Sequence, residues 1–353
     1  MTAYGLLVSP SHNRVYAQAA AGLVKAELAV FSERALGGRV RDIQETAIGG
    51  VPYVTFSADG LAEQDVRLLS NLSSLYALFQ IVEDDLLRPV ALRPLDLFGS
   101  DLLTIQKYAG KTNEYFTKLL LNVTAMAAES PMDLVTGRPR VLDPLCGRGT
   151  TLNQAMMYGL DAAGIDIDGK DFDAYAAFIK TWLKNNRVKH QAEVANIRRE
   201  KAVLGRRLHV TLGASKERYK GGETMEITVV NADSLDAGKF FRPGSFDLIV
   251  TDAPYGVQHG SRPKGGQPGR KGKGNLSRSP VELLTAAVPE WVRLLRPGGA
   301  IGISWNTFVG RREELADVLA SNGLDVQDSD AYRGFRHRVD QAITRDLITA
   351  RKP

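Results

Sequence analysis

The stretch Val141-Leu142-Asp143-Pro144-Leu145-Cys146-Gly147-Arg148-Gly149-Thr150-Thr151 limits what this chain can fold into more than any other. It is a short apolar run, an aspartate, and a glycine turn that opens a helix. Glycines let the backbone approach a ligand closely, and the first N–H groups of a helix have no intrahelical partner. A strand that runs straight into such a turn belongs to a parallel sheet whose strands alternate with helices. From Thr104 onward the chain keeps that alternation. A helix is expected over Asn113 to Ala128, then strand Arg140 to Asp143, helix Thr151 to Tyr158 and strand Ala162 to Asp166. Helix Phe172 to Asn185 follows, then strands Glu226 to Val230 and Phe246 to Thr251, helix Val281 to Leu295 and strand Ala300 to Trp305. Helix Arg311 to Asn322 and strands near Asp325 and over Ile343 to Ala350 close the pattern.

Three ligands could use the glycine turn. A dinucleotide wants a third glycine in the G-x-G-x-x-G spacing, where Leu152 stands. A nucleoside triphosphate wants G-x-x-x-x-G-K-[ST]; Gly110-Lys111-Thr112 has Ile105 in place of the first glycine. The third is S-adenosylmethionine, whose amino-acid end carries an ammonium that suits Asp143 at the end of the first strand. Asp166, ending the second strand, is placed to accept hydrogen bonds from two ribose hydroxyls. Asp233, after the third strand, is placed for the adenine amino group. Each aspartate alone is an ordinary turn residue; three in register after successive strands point to one ligand.

Phe246 to Thr251 is a buried strand that ends in Asp252-Ala253-Pro254-Tyr255-Gly256, at the sheet edge that faces the ligand crevice. An exocyclic amine on a nucleobase is a poor nucleophile because its lone pair is delocalised into the ring. The Asp252 carboxylate and the Ala253 carbonyl are two acceptors for its two hydrogens, and aim its lone pair at a methyl donor. Tyr255 would stack on a base splayed out of its helix, and Pro254 stiffens the loop.

On these residues the sequence resembles the amino-group methyltransferases with a D/N-P-P-Y motif, and among them the THUMP-type tRNA guanine-N2-methyltransferase family, with a shortened N-terminal half. Thr251-Asp252-Ala253-Pro254-Tyr255-Gly256-Val257 matches the family's T-D-P-P-Y-G stretch, with Ala253 replacing a proline, and Asp143 to Thr151 resembles its glycine turn. The resemblance covers residues 105 to 353 and, more weakly, the half before it. It implies a Rossmann-like class I methyltransferase domain over 99–353, with a leading helix at 113–128 and a mostly parallel seven-stranded sheet. A small α+β ferredoxin-like domain over 1–98 that binds or positions RNA would precede it. The implied cofactor is S-adenosyl-L-methionine, touched by Asp143, Pro144, Cys146, Gly147, Gly149, Thr150, Asp166, Ile167 and Asp233. Lys111-Thr112-Asn113 resembles a further stretch that touches the cofactor, which adds Thr112 and Asn113. The implied catalytic residues are Asp252, Ala253, Pro254 and Tyr255, acting on the N2 amino group of a guanine in tRNA. RNA is the implied partner, with a small zinc-binding activating subunit as a second.

Residues 1 to 98 agree with that picture on their own pattern. Strand Tyr4 to Val8, helix Val15 to Leu36, strands Arg39 to Thr46 and Val51 to Phe56 around Gly49-Gly50, a helix from Ala62 to Ser73 and strand Leu75 to Val82 make a split βαβ unit. Arg88-Pro89 and Arg93-Pro94 read as a linker.

The charge balance of +5 matters through its placement. Ser261 to Arg278 holds six Lys/Arg, five Gly, two Pro and no acid, which reads as a phosphate-binding loop beside the active site. Lys184 to Lys220 holds eleven Lys/Arg against three Glu as an insertion between the second and third strands, with no role assigned. Arg333 to Arg338 offers a further RNA contact. One cysteine and five dispersed histidines give neither an internal disulfide nor a zinc spacing. No apolar run reaches the roughly 20 residues of a membrane span, so a cytoplasmic protein is expected. Three alternatives stay open at this level: a DNA adenine-N6 or cytosine-N4 methyltransferase, an rRNA guanine-N2 methyltransferase, and a non-catalytic nucleic-acid-binding protein on a methyltransferase fold.

Overall fold

The computed structural model describes residues 1–11, 13–83, 86–200, 202–254 and 280–353. Tyr255 and the basic segment Ser261 to Arg278 lie outside the described residues. Two sheets carry the fold. The first is built from β1 (Thr2–Val8), α1 (Arg14–Arg34), β2 (Val40–Ile48), β3 (Val51–Ala58), α2 (Glu63–Leu69), β4 (Leu75–Val82) and β5 (Leu86–Val90). Its strands are antiparallel throughout, in the order β2-β3-β1-β4-β5. Asn13 starts α1 by accepting from the N–H groups of Val15 and Tyr16. Gly49 and Gly50, with φ of 58° and 81°, supply the left-handed turn that joins β2 to β3. The expected linker at Arg88-Pro89 is instead β5, paired with β4 at Phe79↔Pro89. The sheet tolerates this proline because β5 is its edge strand.

The second sheet follows α3 (Asp101–Thr104), α4 (Glu114–Ala127) and α5 (Asp133–Thr136). In chain order it contains β6 (Val141–Asp143), α6 (Thr150–Met157), β7 (Ala162–Asp166), α7 (Gly169–Asn185), β8 (His190–Arg199), β9 (Ala202–Leu212), α8 (Lys216–Lys220) and β10 (Met225–Asn231). Next come β11 (Phe246–Asp252), α9 (Pro280–Leu294), β12 (Leu295–Asn306), α10 (Arg312–Ser321), β13 (Asp325–Gln327), β14 (His337–Arg338) and β15 (Thr344–Arg351). The strand order is β13-β15-β12-β11-β6-β7-β10-β9-β8, with β14 also on β15. This is a Rossmann-like sheet. Five neighbours, β10-β7-β6-β11-β12, are parallel to one another, and only β9 and β15 run against the common direction.

Ten described strands replace the expected seven. The surplus is β14 and the β8–β9 hairpin, which turns the unassigned basic insertion into an extension of the sheet. β8 is exposed or half-exposed along its length and β9 buries only Leu208, Val210 and Leu212 on one face, so the alternating, arginine-rich pattern reads as a solvated insertion in the sequence.

The two sheets share one apolar core. Leu6, Leu23 and Val24 of the first unit belong to the same buried cluster as Phe116, Leu119 and Val123 of α4. Polar groups cross the same boundary. Glu27 of α1, with no exposure, accepts from the N–H and hydroxyl of Ser73 at 2.9 and 2.6 Å and from the side-chain amide of Asn122 at 2.7 Å. Asn122 also donates to the Asn71 carbonyl and accepts from the Tyr158 hydroxyl. Burial holds the Glu27 carboxyl above the usual carboxylate range. Arg34, at the end of α1, donates to the Met126 and Ala128 carbonyls at the end of α4. Among the described residues, no helix is long and apolar enough to cross a membrane.

Replacing Glu27 with Ala strands three buried donors at once, and the expected loss is roughly 3 kcal/mol of unfolding free energy. A urea titration measures it; a loss under about 1 kcal/mol would show that the polar bridge between the units is dispensable.

Candidate functional site

The crevice lies along the carboxyl edge of the parallel strands, where β6, β7, β10 and β11 end in Asp143, Asp166, Asn231 and Asp252. Gly147 and Gly149 stand in the left-handed region at φ 48° and 77°. A Cβ on Gly149 would come within 2.3 Å of the Tyr175 ring, so the turn can close onto α7 only without a side chain there. A Cβ on Gly147 would meet nothing within 4 Å, so this part of the turn borders open space. The Gly149 N–H donates to the Cys146 carbonyl, and Thr150 opens α6, whose first amides lack intrahelical partners.

Asp143 sits beneath the turn at 3% exposure. It accepts from the Leu145 N–H at 3.1 Å and from the Thr251 hydroxyl at 2.8 Å. Burial pushes its carboxyl up to about 7, against the lowering effect of Thr151, Thr251 and Leu145. Asp166 takes the Gly147 N–H at 2.8 Å on one oxygen and the Asp168 N–H at 2.7 Å on the other, and burial raises its carboxyl as well. Thus Asp166 holds the turn from the neighbouring strand, while Ile167 beside it is exposed. Asp233 caps the helical turn that starts at Ser234 by accepting from the Leu235 N–H. Pro144 is buried behind the turn.

Two of the residues assigned to the cofactor have side chains engaged within the protein. The Cys146 side chain is buried, and its Sγ occupies the place that a Cβ on Gly164 would take, so it packs against β7. Its N–H donates to the Ile165 carbonyl. The Asn113 side chain caps α4 by accepting from Tyr115 and Phe116. Thr112, one residue earlier, reaches the end of β11, where its hydroxyl donates to Asp252 Oδ2 at 2.7 Å.

Asp252 is held from three directions. Ser304, its register partner on β12, donates to Oδ1 at 2.7 Å. Thr112 and the Arg345 guanidinium of β15, the latter at 3.4 Å, engage Oδ2. Arg345 is 5% exposed and lies over the Phe116 ring at 4.5 Å, whereas Asp252 keeps 18% of its side chain open to solvent. Ala253 is buried and donates its N–H to the Ser304 carbonyl, while Pro254 after it is exposed. His337 faces Arg345 across β14–β15, and its ring stands edge-on to Tyr16 of α1. Burial, with Arg345 nearby, pushes the His337 imidazole down to about 4, so it is neutral at pH 7.

Ser304 and Arg345 belong to no motif in the sequence, and Thr251 enters it only as the first residue of the Thr251 to Val257 stretch. Ser304 is found only through its register with Asp252. Arg345 carries a signal that was available: a cation next to the apolar run Leu347 to Ile348 of a buried strand. The residues of the turn also include Arg148, whose guanidinium bonds Asp171 at 2.8 Å and covers the Tyr108 ring at 4.7 Å, folding the segment before α4 over the crevice.

Residues 133–267 match the UPF0020 family model, described as RMKL-like, methyltransferase domain. The chain carries a methyltransferase domain. That match spans the glycine turn, Asp166, Asp233 and Asp252, and the methyl donor is S-adenosylmethionine. The open turn at Gly147 and the acidic strand ends fit that donor, which brings an ammonium and ribose hydroxyls. The search of curated proteins found no match. Among solved structures, a Pyrococcus horikoshii protein described as a candidate RNA methyltransferase is 12% identical, with a TM-score of 0.40 over 71% of this chain and 94% of that one. A TehB-like S-adenosylmethionine-dependent methyltransferase of Corynebacterium glutamicum is 16% identical, with 0.33 over 62% and 85%. An S-adenosylmethionine-dependent methyltransferase of Methanosarcina mazei is 13% identical, with 0.34 over 61% and 92%. These likenesses are loose, and the strand order stands without them.

The elevated Asp143 carboxyl has a measurable consequence. The folded state keeps a proton that the unfolded chain releases near pH 4, so ligand-free stability falls as pH rises from about 4 to about 7 and then levels off. The slope expected from this group is about 1.4 kcal/mol per pH unit. Asp143→Asn should remove that slope in denaturant titrations between pH 5 and 7; an unchanged slope would show that Asp143 is ionised in the fold.

Proposed function

We propose that this chain is an RNA methyltransferase that modifies the exocyclic N2 amino group of a guanine, in tRNA. The observation that carries the reading is Asp252: a carboxylate at the crevice end of β11, fixed by Ser304, Thr112 and Arg345 yet partly open, and followed by Ala253 and exposed Pro254. An amine conjugated to a purine needs its hydrogens held so that its lone pair leaves the ring plane. Asp252 and the Ala253 carbonyl supply two acceptors at that point, and their preorganisation lowers the cost of turning the nitrogen toward the methyl donor. As positive charge grows on the nitrogen, the Asp252 carboxylate offsets it. S-adenosylmethionine supplies the electrophilic methyl group when bound. In this reading Asp166, Ile167 and Asp233 lie along the nucleoside part of the donor, and Asp143 underlies its amino-acid end. Tyr255 stacks on the target base, RNA is the partner, and the first unit, read as a ferredoxin-like domain, positions it in the cytoplasm.

The test is methylation of unfractionated tRNA with label-bearing S-adenosylmethionine, followed by mass spectrometry of the nucleosides. N2-methylguanosine is the expected product; label in another base would refute the guanine assignment. Asp252→Ala should lower kcat by roughly a thousandfold while leaving S-adenosylmethionine affinity within about threefold, and Asp252→Asn should fall between Ala and wild type. If Ala and Asn both lose cofactor binding, Asp252 belongs to the cofactor rather than to the amine.

A further inference from the structure

The β8–β9 hairpin forms one end of the second sheet. Its strands continue past the end of β10. Asn231, the last residue of β10, pairs with Arg206, and β9 begins at Ala202, where it pairs with Arg199. At about 3.3 Å per residue, the four residues from Arg206 to Ala202 carry the hairpin roughly 13 Å beyond the carboxyl edge of the sheet. That edge is the one on which Asp166 and Asp252 lie.

The foot of this arm is fixed. Arg206 binds Asp173 of α7 at 2.7 Å, reaches the Gly169 carbonyl and the Asn231 side chain at 3.3 Å, and covers the Phe172 ring at 4.7 Å. Beside it, Gly205 passes so close to β10 that a Cβ would lie 2.5 Å from the Asn231 carbonyl oxygen. The tip is different. Arg198 and Arg199 are exposed, as is Arg207 within the sheet just below the foot, and none of the three forms an ion pair among the described residues. The acids on the arm are Glu193 and Glu200.

We propose that the β8–β9 hairpin is a rigid arm whose Arg198 and Arg199, with Arg207 at its base, grip phosphates of the nucleic-acid substrate several nucleotides away from the one that enters the crevice. The inference rests on the RNA reading given above and extends it to a named surface. Guanidinium forks match phosphate in a bidentate way, and an anchored foot removes the ordering cost that a free basic loop incurs on binding. The separation is suitable. Five strand spacings of about 4.8 Å from β11 to β8, combined with the roughly 13 Å rise of the arm, place Arg198 and Arg199 about 27 Å from Asp252. That distance corresponds to about eight nucleotides of a strand stacked at about 3.4 Å.

The test compares wild type with Arg198→Ala/Arg199→Ala and Arg198→Lys/Arg199→Lys, using unfractionated tRNA as the probe over 50 to 300 mM salt. Loss of two phosphate contacts should flatten the slope of log affinity against log salt by about 1.4 to 1.8 and weaken binding about tenfold at 100 mM salt. The Lys variant should keep the wild-type slope. S-adenosylmethionine affinity and the thermal midpoint should be unchanged in both, because the two side chains are exposed. A wild-type slope in the Ala variant overturns the arm while leaving the RNA reading intact. Absence of tRNA binding by the wild type overturns both.

Discussion

One buried carboxylate joins the parts on which the site depends. Asp143 ends β6, accepts from the glycine turn through Leu145, and takes the hydroxyl of Thr251 from β11. Since Thr251 immediately precedes Asp252, the bond that joins Asp143 to β11 ties the glycine turn to the loop that carries Asp252. A burial that raises the carboxyl to about 7 is costly by itself, and the donors around it offset part of that cost. The geometry of the glycine turn and of the β11 end thus passes through one side chain that contributes little surface of its own.

Asp252 is organised by residues that are distant in sequence and close in register. Thr112 comes from the segment before α4, Ser304 from β12 and Arg345 from β15. Arg345 is in turn held over Phe116, and its cross-strand neighbour His337 touches Tyr16 of the first unit. Tyr16 also stacks on Tyr115, and Ser9 bonds the Tyr115 hydroxyl. The first unit therefore packs against the wall behind the Asp252 carboxylate. A neutral His337 suits that place, because a second cation beside Arg345 would be poorly solvated there.

Elements with one strong apolar period were legible in the sequence. The parallel strands and their helices appear within a few residues of expectation, since burial on both faces leaves continuous apolar runs such as Leu248 to Val250. The β8–β9 hairpin was not legible, because it is a sheet extension whose exposed positions carry arginines and glutamates that read as a solvated insertion. Strand β5 was hidden by Pro89, which signals a break unless the strand is known to be an edge. In the site, the acidic strand ends were visible from spacing alone. The inward turn of Cys146 and the capping role of Asn113 depend on which way a side chain leaves the backbone, and composition carries no trace of that. Ser304 and Arg345 reach Asp252 through strand pairing across long sequence separations, which a single sequence does not encode locally.

The apolar cluster shared by the two sheets also governs how the molecule comes apart. Because Leu23 and Val24 of α1 pack in the same core as Leu119 and Val123 of α4, separating the units would wet apolar surface on both. Opening the contact between α1 and α4 therefore exposes apolar surface of both units, and the wall behind Asp252 gains rigidity from residues of the first unit. The shared cluster is expected to make the two sheets melt together, in a single calorimetric transition.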